Sequence, residues 1–255
     1  MTTVNLLIQF HSLTGLKKFP AGIIKERAVL SQFTSKFSGE LRRHLTLRWT
    51  GPYLLIPIFF VASLIVETWM QESGLIPYIP VGSRSDLSLW RILMISAMVG
   101  TPLSAIFMAE SWKKKFPTSD FSGSFLSTQL SSFLVVLLVM TAASFIVTAP
   151  FGVSLSDKIG SVVTRALIMC FWSTATATLC SVISGGSGAA ILSIGLFSIA
   201  LFPGLTGTAM SRWFAAPLGD LVTGGTDLLT VLAVLGHSAV YLILSAIMLR
   251  KISRR

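Results

Sequence analysis

Residues 166–211 read ALIMCFWSTATATLCSVISGGSGAAILSIGLFSIALFPGLTGTAMS, a run without Asp, Glu, Lys, Arg or His. About 20 apolar helical residues cross the hydrocarbon core of a bilayer, so the run suffices for two crossings. Its middle holds Ser184, Gly185, Gly186, Ser187 and Gly188, a turn-forming cluster that can fold the run into a tight helical hairpin. No soluble domain needs an uncharged run of this length. The chain therefore reads as an integral membrane protein whose other spans pack against this pair.

Composition agrees. Of the 255 residues 53% are hydrophobic and mean hydropathy is +0.78, above what a soluble domain carries. The net charge of +10 invites a nucleic-acid reading. Cytoplasmic loops facing anionic lipid and the positive-inside bias explain it better. Cys170 and Cys180 fall inside one expected span, off a common helical face, and read as buried free thiols.

Working outward from the hairpin, the spacing predicts a fourth span at 161–183, with Arg165 near enough to its outer end to snorkel. The fifth runs over 189–204, ending at Phe202, Pro203 and Gly204. Residues 205–226, with Arg212, Trp213, Pro217 and Asp220, read as a partly embedded external segment. The last span is 228–249, followed by Arg250, Lys251, Arg254 and Arg255. Upstream lie a third span at 127–148, a second at 92–109 with Pro102 as a kink site, and a first at 49–66. Trp49, Trp69, Trp90 and Trp112 stand at the borders of the first two, as interfacial anchors. Residues 67–89, with Pro77, Pro80 and Gly82, read as an external loop.

Residues 1–48 are a cytoplasmic basic segment. They lack the basic flank and cleavage site of a signal peptide. Leu30, Phe33, Phe37 and Leu41 recur at helical spacing opposite Lys25, Arg27, Lys36 and Arg42, which suits an amphipathic helix lying in the headgroup region. A disordered basic tail is the alternative. Between spans two and three stand Glu110, Trp112, Lys113, Lys114, Lys115, Phe116 and Pro117, and the proline favours starting a fresh short helix. The expected architecture is all-α, six transmembrane helices preceded by the interfacial helix. With both termini inside, fifteen of the 20 Lys and Arg residues are cytoplasmic, and the opposite orientation inverts that bias.

Catalytic constellations are scarce. The chain has no Gly-x-x-x-x-Gly-Lys-Ser/Thr loop and hence no recognisable nucleotide site. His11, His44 and His237 are far apart in sequence, which argues against a metal site. No span carries the acidic or arginine set that ion-coupled transporters place at the midplane. Gly185-Gly186-Ser187-Gly188 resembles the Gly-x-Ser-Gly nucleophile motif of rhomboid intramembrane proteases, with His237 in a later span as the base. The histidine and asparagine of that family's second span are missing from 92–109, and only one full span separates Ser187 from His237. A small-residue helix turn, with His237 as a packing residue, is the plainer explanation. A membrane-anchored assembly or structural protein is a further alternative.

In the order of its features the chain resembles the membrane subunits of type-2 (ABC-2) ATP-binding-cassette exporters. A basic amphipathic helix precedes span one, and a glutamate-plus-lysines segment follows span two. LCSVISGGSGAAILSI at 179–194 is similar to that family's inner turn of small residues. Leu201, Phe202, Pro203 and Gly204, then Ala216, Pro217 and Leu218, are similar to its external segment. The stretch from Glu110 to Pro117 is compressed relative to many members, so subfamily and cargo stay open. The resemblance implies a permease that is not itself an enzyme and holds no cofactor. ATP and Mg would be bound by a separate ATPase subunit, and a second permease, identical or related, would complete the transporter in the plasma membrane. A coupling helix at about 111–122 would dock on the ATPase through Lys113, Lys114 and Lys115, with Trp112 and Phe116 as anchors. Spans one, two and five would line a path for a lipid-like, hydrophobic or amphipathic peptide cargo, with His237 as a possible contact.

Overall fold

The computed structural model describes residues 21–77, 81–115, 121–148, 155–201, 218 and 228–253. Among them every element is helical: α1 (Ala21–His44), α2 (Leu47–Thr50), a 3-10 turn (Gly51–Leu54), α3 (Leu55–Glu72), α4 (Val81–Lys115), α5 (Phe121–Thr148), α6 (Leu155–Ile183), α7 (Ser187–Leu201) and α8 (Leu228–Ser253). Five stretches are long and apolar enough to cross a membrane: Leu47–Glu72, Arg91–Lys114, Phe121–Ile146, Val163–Ile183 and Leu228–Ile252. The fifth expected span is described only as far as Leu201. At 15 residues, α7 reaches only about 22 Å of the roughly 30 Å core. Residues 202–204 and the external segment other than Leu218 lie outside the described residues.

The expected boundaries move outward, because a helix leaving the bilayer no longer needs apolar residues. Residues 67–72, expected in the external loop, continue α3. Its true stop is a Schellman motif. Gly74 takes φ 70°, Leu75 N–H donates to Met70 O at 2.9 Å and Gly74 N–H to Gln71 O at 3.1 Å. At the other end of this span, Gly51-Pro52 inserts a 3-10 turn, since Pro52 supplies no amide to an α ladder. Helix α4 starts eleven residues before the expected second span, keeps Pro102 inside it, and runs through 111–115.

Two helices form the centre. The membrane windows of α4 and α6 are each 72% buried, against 17% for α3, 22% for α8 and 39% for α5. Helix α4 packs on α5, α6 and α7, while α6 carries α8 on its other side. Helix α1 packs along α5, and its Phe33 and Phe37 stack at 6.3 Å.

Burial is inverted relative to a soluble protein. Ile58, Val61, Ile65, Val240, Ile243 and Ile247 are exposed, whereas Ser96, Thr101, Ser104, Ser173, Thr176 and Thr178 are buried. Water would not tolerate that outer surface, and lipid does. Small hydroxyl residues let helices approach closely in a bilayer and hydrogen-bond across the contact. The Thr101 and Ser173 hydroxyls meet at 2.5 Å between α4 and α6. Gln129 of α5 donates to Thr178 of α6. Such bonds contribute about 0.6 kcal/mol each on average, so they fix which faces meet more than they hold the bundle together.

Candidate functional site

One end of the bundle gathers most of the residues singled out from the sequence. Trp49, Phe107, Met108, Trp112, Cys180, Ala189 and Leu249 form a buried cluster there, drawn from α2, α4, α6, α7 and α8. The ends of α4 and α8, the hairpin turn and the close of α1 therefore share one face of the protein.

Glu110 sits on that face but points back into the chain. Its carboxylate accepts from Arg48 Nη2 at 2.7 Å and from Arg43 Nη2 at 3.4 Å. Arg43 Nη1 also donates to Ser111 Oγ at 2.9 Å, and that hydroxyl donates to Glu40 at 3.3 Å. Glu110, at the head of the expected coupling segment, thereby latches the end of α1 to α4.

Beneath the latch His44 is fully buried, its ring stacked on Phe107 with centroids 3.9 Å apart and planes 13° apart. Trp49 meets Phe107 edge-on at 5.3 Å, and the Arg43 guanidinium lies 5.1 Å from the same ring. Neither His44 nitrogen has a hydrogen-bond partner. Burial, helped by the charge of Arg43, lowers the imidazole from 6.5 to about 4. The docked state thus prefers a neutral ring. Its advantage is complete above about pH 6.5 and falls as pH drops toward 4, because the released ring takes a proton that the docked ring refuses. Across that interval α1 docking is expected to weaken by up to about 3 kcal/mol. Trypsin cleavage around Arg42 and Arg43, compared at pH 7.5 and pH 5.5 against an unrelated substrate, measures it. His44→Phe keeps the stacked ring and should flatten the profile; an unchanged profile in that variant assigns the pH effect to another group.

Trp112, expected as an anchor for a partner, is 5% exposed. Its indole N–H donates to Ser181 Oγ at 2.8 Å, and its ring stacks on Phe125 at 5.8 Å. Ser181 in turn donates to Thr178 O at 2.7 Å, which leaves its oxygen free to accept from the indole. Trp49 and Trp112 are thus internal packing residues and not headgroup anchors, while Trp69 at the opposite end is 60% exposed. Nor do 111–115 start a fresh helix. They finish α4, and 121–122 already belong to α5. Phe116 and Pro117 lie outside the described residues, and Lys115 is the last residue of α4.

The small-residue turn behaves as its sequence implies. Ser184 N–H closes α6 on Cys180 O at 2.9 Å, Gly186 takes φ 58°, and α7 starts at Ser187. Lys113 lies over this turn: a β-carbon at Gly185 would stand 3.4 Å from its Nζ. Lys113, Lys114, Ile183, Gly185 and Ser187 are exposed. They form a basic patch with one apolar side chain at its edge.

Ser187 and His237 are not brought together. Leu249 shares the buried cluster with Ala189, and His237 precedes Leu249 by twelve residues, about 18 Å along α8. The His237 Nδ1 stands 2.7 Å from Ala233 O of its own helix. Both cysteines are free and buried. Among the described residues no three His, Cys, Asp or Glu side chains cluster as a metal site would need.

At the opposite end an ion pair absent from the sequence reading joins Glu67 of α3 to Arg91 of α4. Both side chains are mostly buried, 15% and 18% exposed, beside a cleft of about 540 Å³ lined by Phe59, Val66, Met70 and Ile76. This pair and the Arg43–Glu110–Arg48 latch join residues 24 to 67 positions apart, beyond any local spacing. The hydroxyl contacts did leave a signal, since Ser173, Thr174, Thr176, Thr178 and Ser181 crowd one apolar span. No protein-family model, curated protein or solved structure matches this chain.

Proposed function

We propose that the chain is the transmembrane subunit of an ATP-driven exporter of the ABC-2 kind, working with a separate ATPase. The observation that carries this reading is the joined surface of Lys113, Lys114 and the turn at 184–188. A partner bound there would push on the rigid end of α4 and on the α6–α7 hairpin together. Those are the elements at the centre of the bundle, so a movement at the patch would reach the packed core. The latch gives the same surface a second lever, because Arg43, Arg48 and Glu110 tie α1 to the end of α4.

In this reading the chain crosses the membrane six times, with α7 and the residues after it making the fifth crossing. Both termini are cytoplasmic, and α1 lies at the inner surface of the plasma membrane. ATP and Mg belong to the ATPase, a second permease copy or a relative completes the transporter, and the cargo is apolar or amphipathic. Reconstitution with an ABC ATPase tests it. The lone chain should hydrolyse no ATP, and the complex should hydrolyse ATP and move a fluorescent lipid between leaflets. A pair that assembles in no detergent or nanodisc and moves no lipid would remove the exporter reading.

A further inference from the structure

A second cavity lies on the side of the bundle next to the basic end, in the cleft between α5 and α8 and floored by α6. It measures about 320 Å³ and is walled by Phe125, Leu126, Leu130 and Phe133 of α5, Phe171 and Ala175 of α6, and Leu242 of α8. That volume falls at the lower end of the range for small-molecule sites. It is too small for a further helix, whose diameter with side chains is about 10 Å. Leu126 stands 56% exposed at its edge, so the cleft opens sideways toward the surroundings of the bundle. In a bilayer those surroundings are lipid chains.

Two polar side chains break the apolar wall, Gln129 of α5 and Thr174 of α6, and the Thr174 hydroxyl also lacks a partner. Gln129 lines the cavity, is 9% exposed, and has a carbonyl oxygen without a partner. The orientation of its amide follows from its neighbour. Thr178 donates to Thr174 O at 2.7 Å, so the Thr178 oxygen accepts, and the Gln129 amide nitrogen must be what faces it. The carbonyl oxygen is left as a buried acceptor with nothing to accept. An unmet buried acceptor carries a desolvation cost of about 1–3 kcal/mol, which a ligand bearing a donor would relieve. Gln129 also sits eight residues into α5, about 12 Å from the helix start at Phe121. A chain lying beside Phe133 can therefore keep its polar end near Gln129 and the start of the helix.

From this we infer that the α5–α6–α8 cleft is a binding site for a single-chain bilayer amphiphile whose polar end carries a hydrogen-bond donor, received by Gln129. A hydroxyl as in a monoacylglycerol can donate to the Gln129 oxygen; an ester without O–H or N–H leaves that acceptor unmet. The inference needs only that the chain sits in a bilayer, and it holds whether or not the protein is an exporter.

Two photoactivatable probes with the same acyl chain test it on the full chain in phosphatidylcholine nanodiscs. One is a monoacylglycerol, the other the methyl ester of the same fatty acid. The monoacylglycerol should label peptides covering 125–133, 171–175 or 242, and should be preferred about tenfold over the methyl ester, the ratio one hydrogen bond of about 1.4 kcal/mol gives. Gln129→Leu should bring the two probes level, while Leu126→Trp, at the exposed edge, should block both. The wild-type comparison needs no variant, so a misfolding substitution leaves the test intact. Equal labelling of the cleft by both probes in the wild type overturns the donor requirement. Labelling spread over the lipid-facing surfaces of α3 and α8 overturns the site.

Discussion

Phe107→Ala is expected to release α1 from the bundle and to destabilise the basic end by about 3–5 kcal/mol, the usual range for removing a buried aromatic ring. The ring is fully buried, and three groups from outside its own helix rest on it: the His44 imidazole, the Trp49 indole and the Arg43 guanidinium. Its removal opens a cavity and also strips His44 of the surface that makes its burial tolerable. The imidazole has no hydrogen bond to fall back on, so the released state, where water satisfies both nitrogens, gains relative to the docked one. Trypsin sensitivity at Arg42, Arg43 and Arg48 should rise together with a fall in thermal midpoint. Arg48→Ala is the control. That side chain is 71% exposed, and loss of its bond to Glu110 should cost less than about 1 kcal/mol. If Phe107→Ala leaves cleavage at the wild-type level, the stacked cluster does not hold α1.

The comparison of sequence with structure turns on what each residue pattern can encode. An uncharged run broken by Gly185-Gly186-Ser187-Gly188 encodes a helical hairpin, because both its length and its turn are local properties, and α6 and α7 follow it. Helix ends outside the bilayer are less legible. Polarity there is permissive, so residues 67–72 looked like loop until Gly74 is recognised as the stop. Tryptophan at a span border has two meanings. At the surface it anchors to headgroups, and on a helix that continues inward it packs. Trp112 has a turn of α6 behind it, with Ser181 placed to take its N–H, and only the tertiary contact decides. The same holds for Glu110 beside three lysines, where the local charge pattern suggests a solvated coupling surface. Arg43 and Arg48, more than sixty residues away, claim the carboxylate first.

These placements separate stability from coupling at the basic end. Trp112→Ala should destabilise the protein itself by about 3–5 kcal/mol, since it empties a buried site and leaves Ser181 Oγ without its donor. Weaker capture of an ATPase by that variant would therefore follow from loss of the folded end and not from loss of an anchor. Lys113 and Lys114 are exposed, so reversing both to glutamate should leave the thermal midpoint within about 1 kcal/mol of the wild type. If the ATPase docks on this patch, the same double change should slow its association most at low salt, with the difference shrinking as ionic strength rises toward 0.5 M and screening shortens to a few ångströms. Ile183, 55% exposed beside the lysines, is the side chain placed to be buried by a partner. Ile183→Asp should raise the dissociation rate at every salt concentration, because a desolvated apolar contact is lost whatever the screening. Membrane insertion is checked first for each variant, since lysines flanking an apolar span bear on how it inserts. A Lys113/Lys114 reversal and an Ile183→Asp variant that both insert and both bind the ATPase as the wild type does would move the docking surface away from the α4 end and the hairpin turn. The exposed stretch of α1 would then be the remaining candidate for docking.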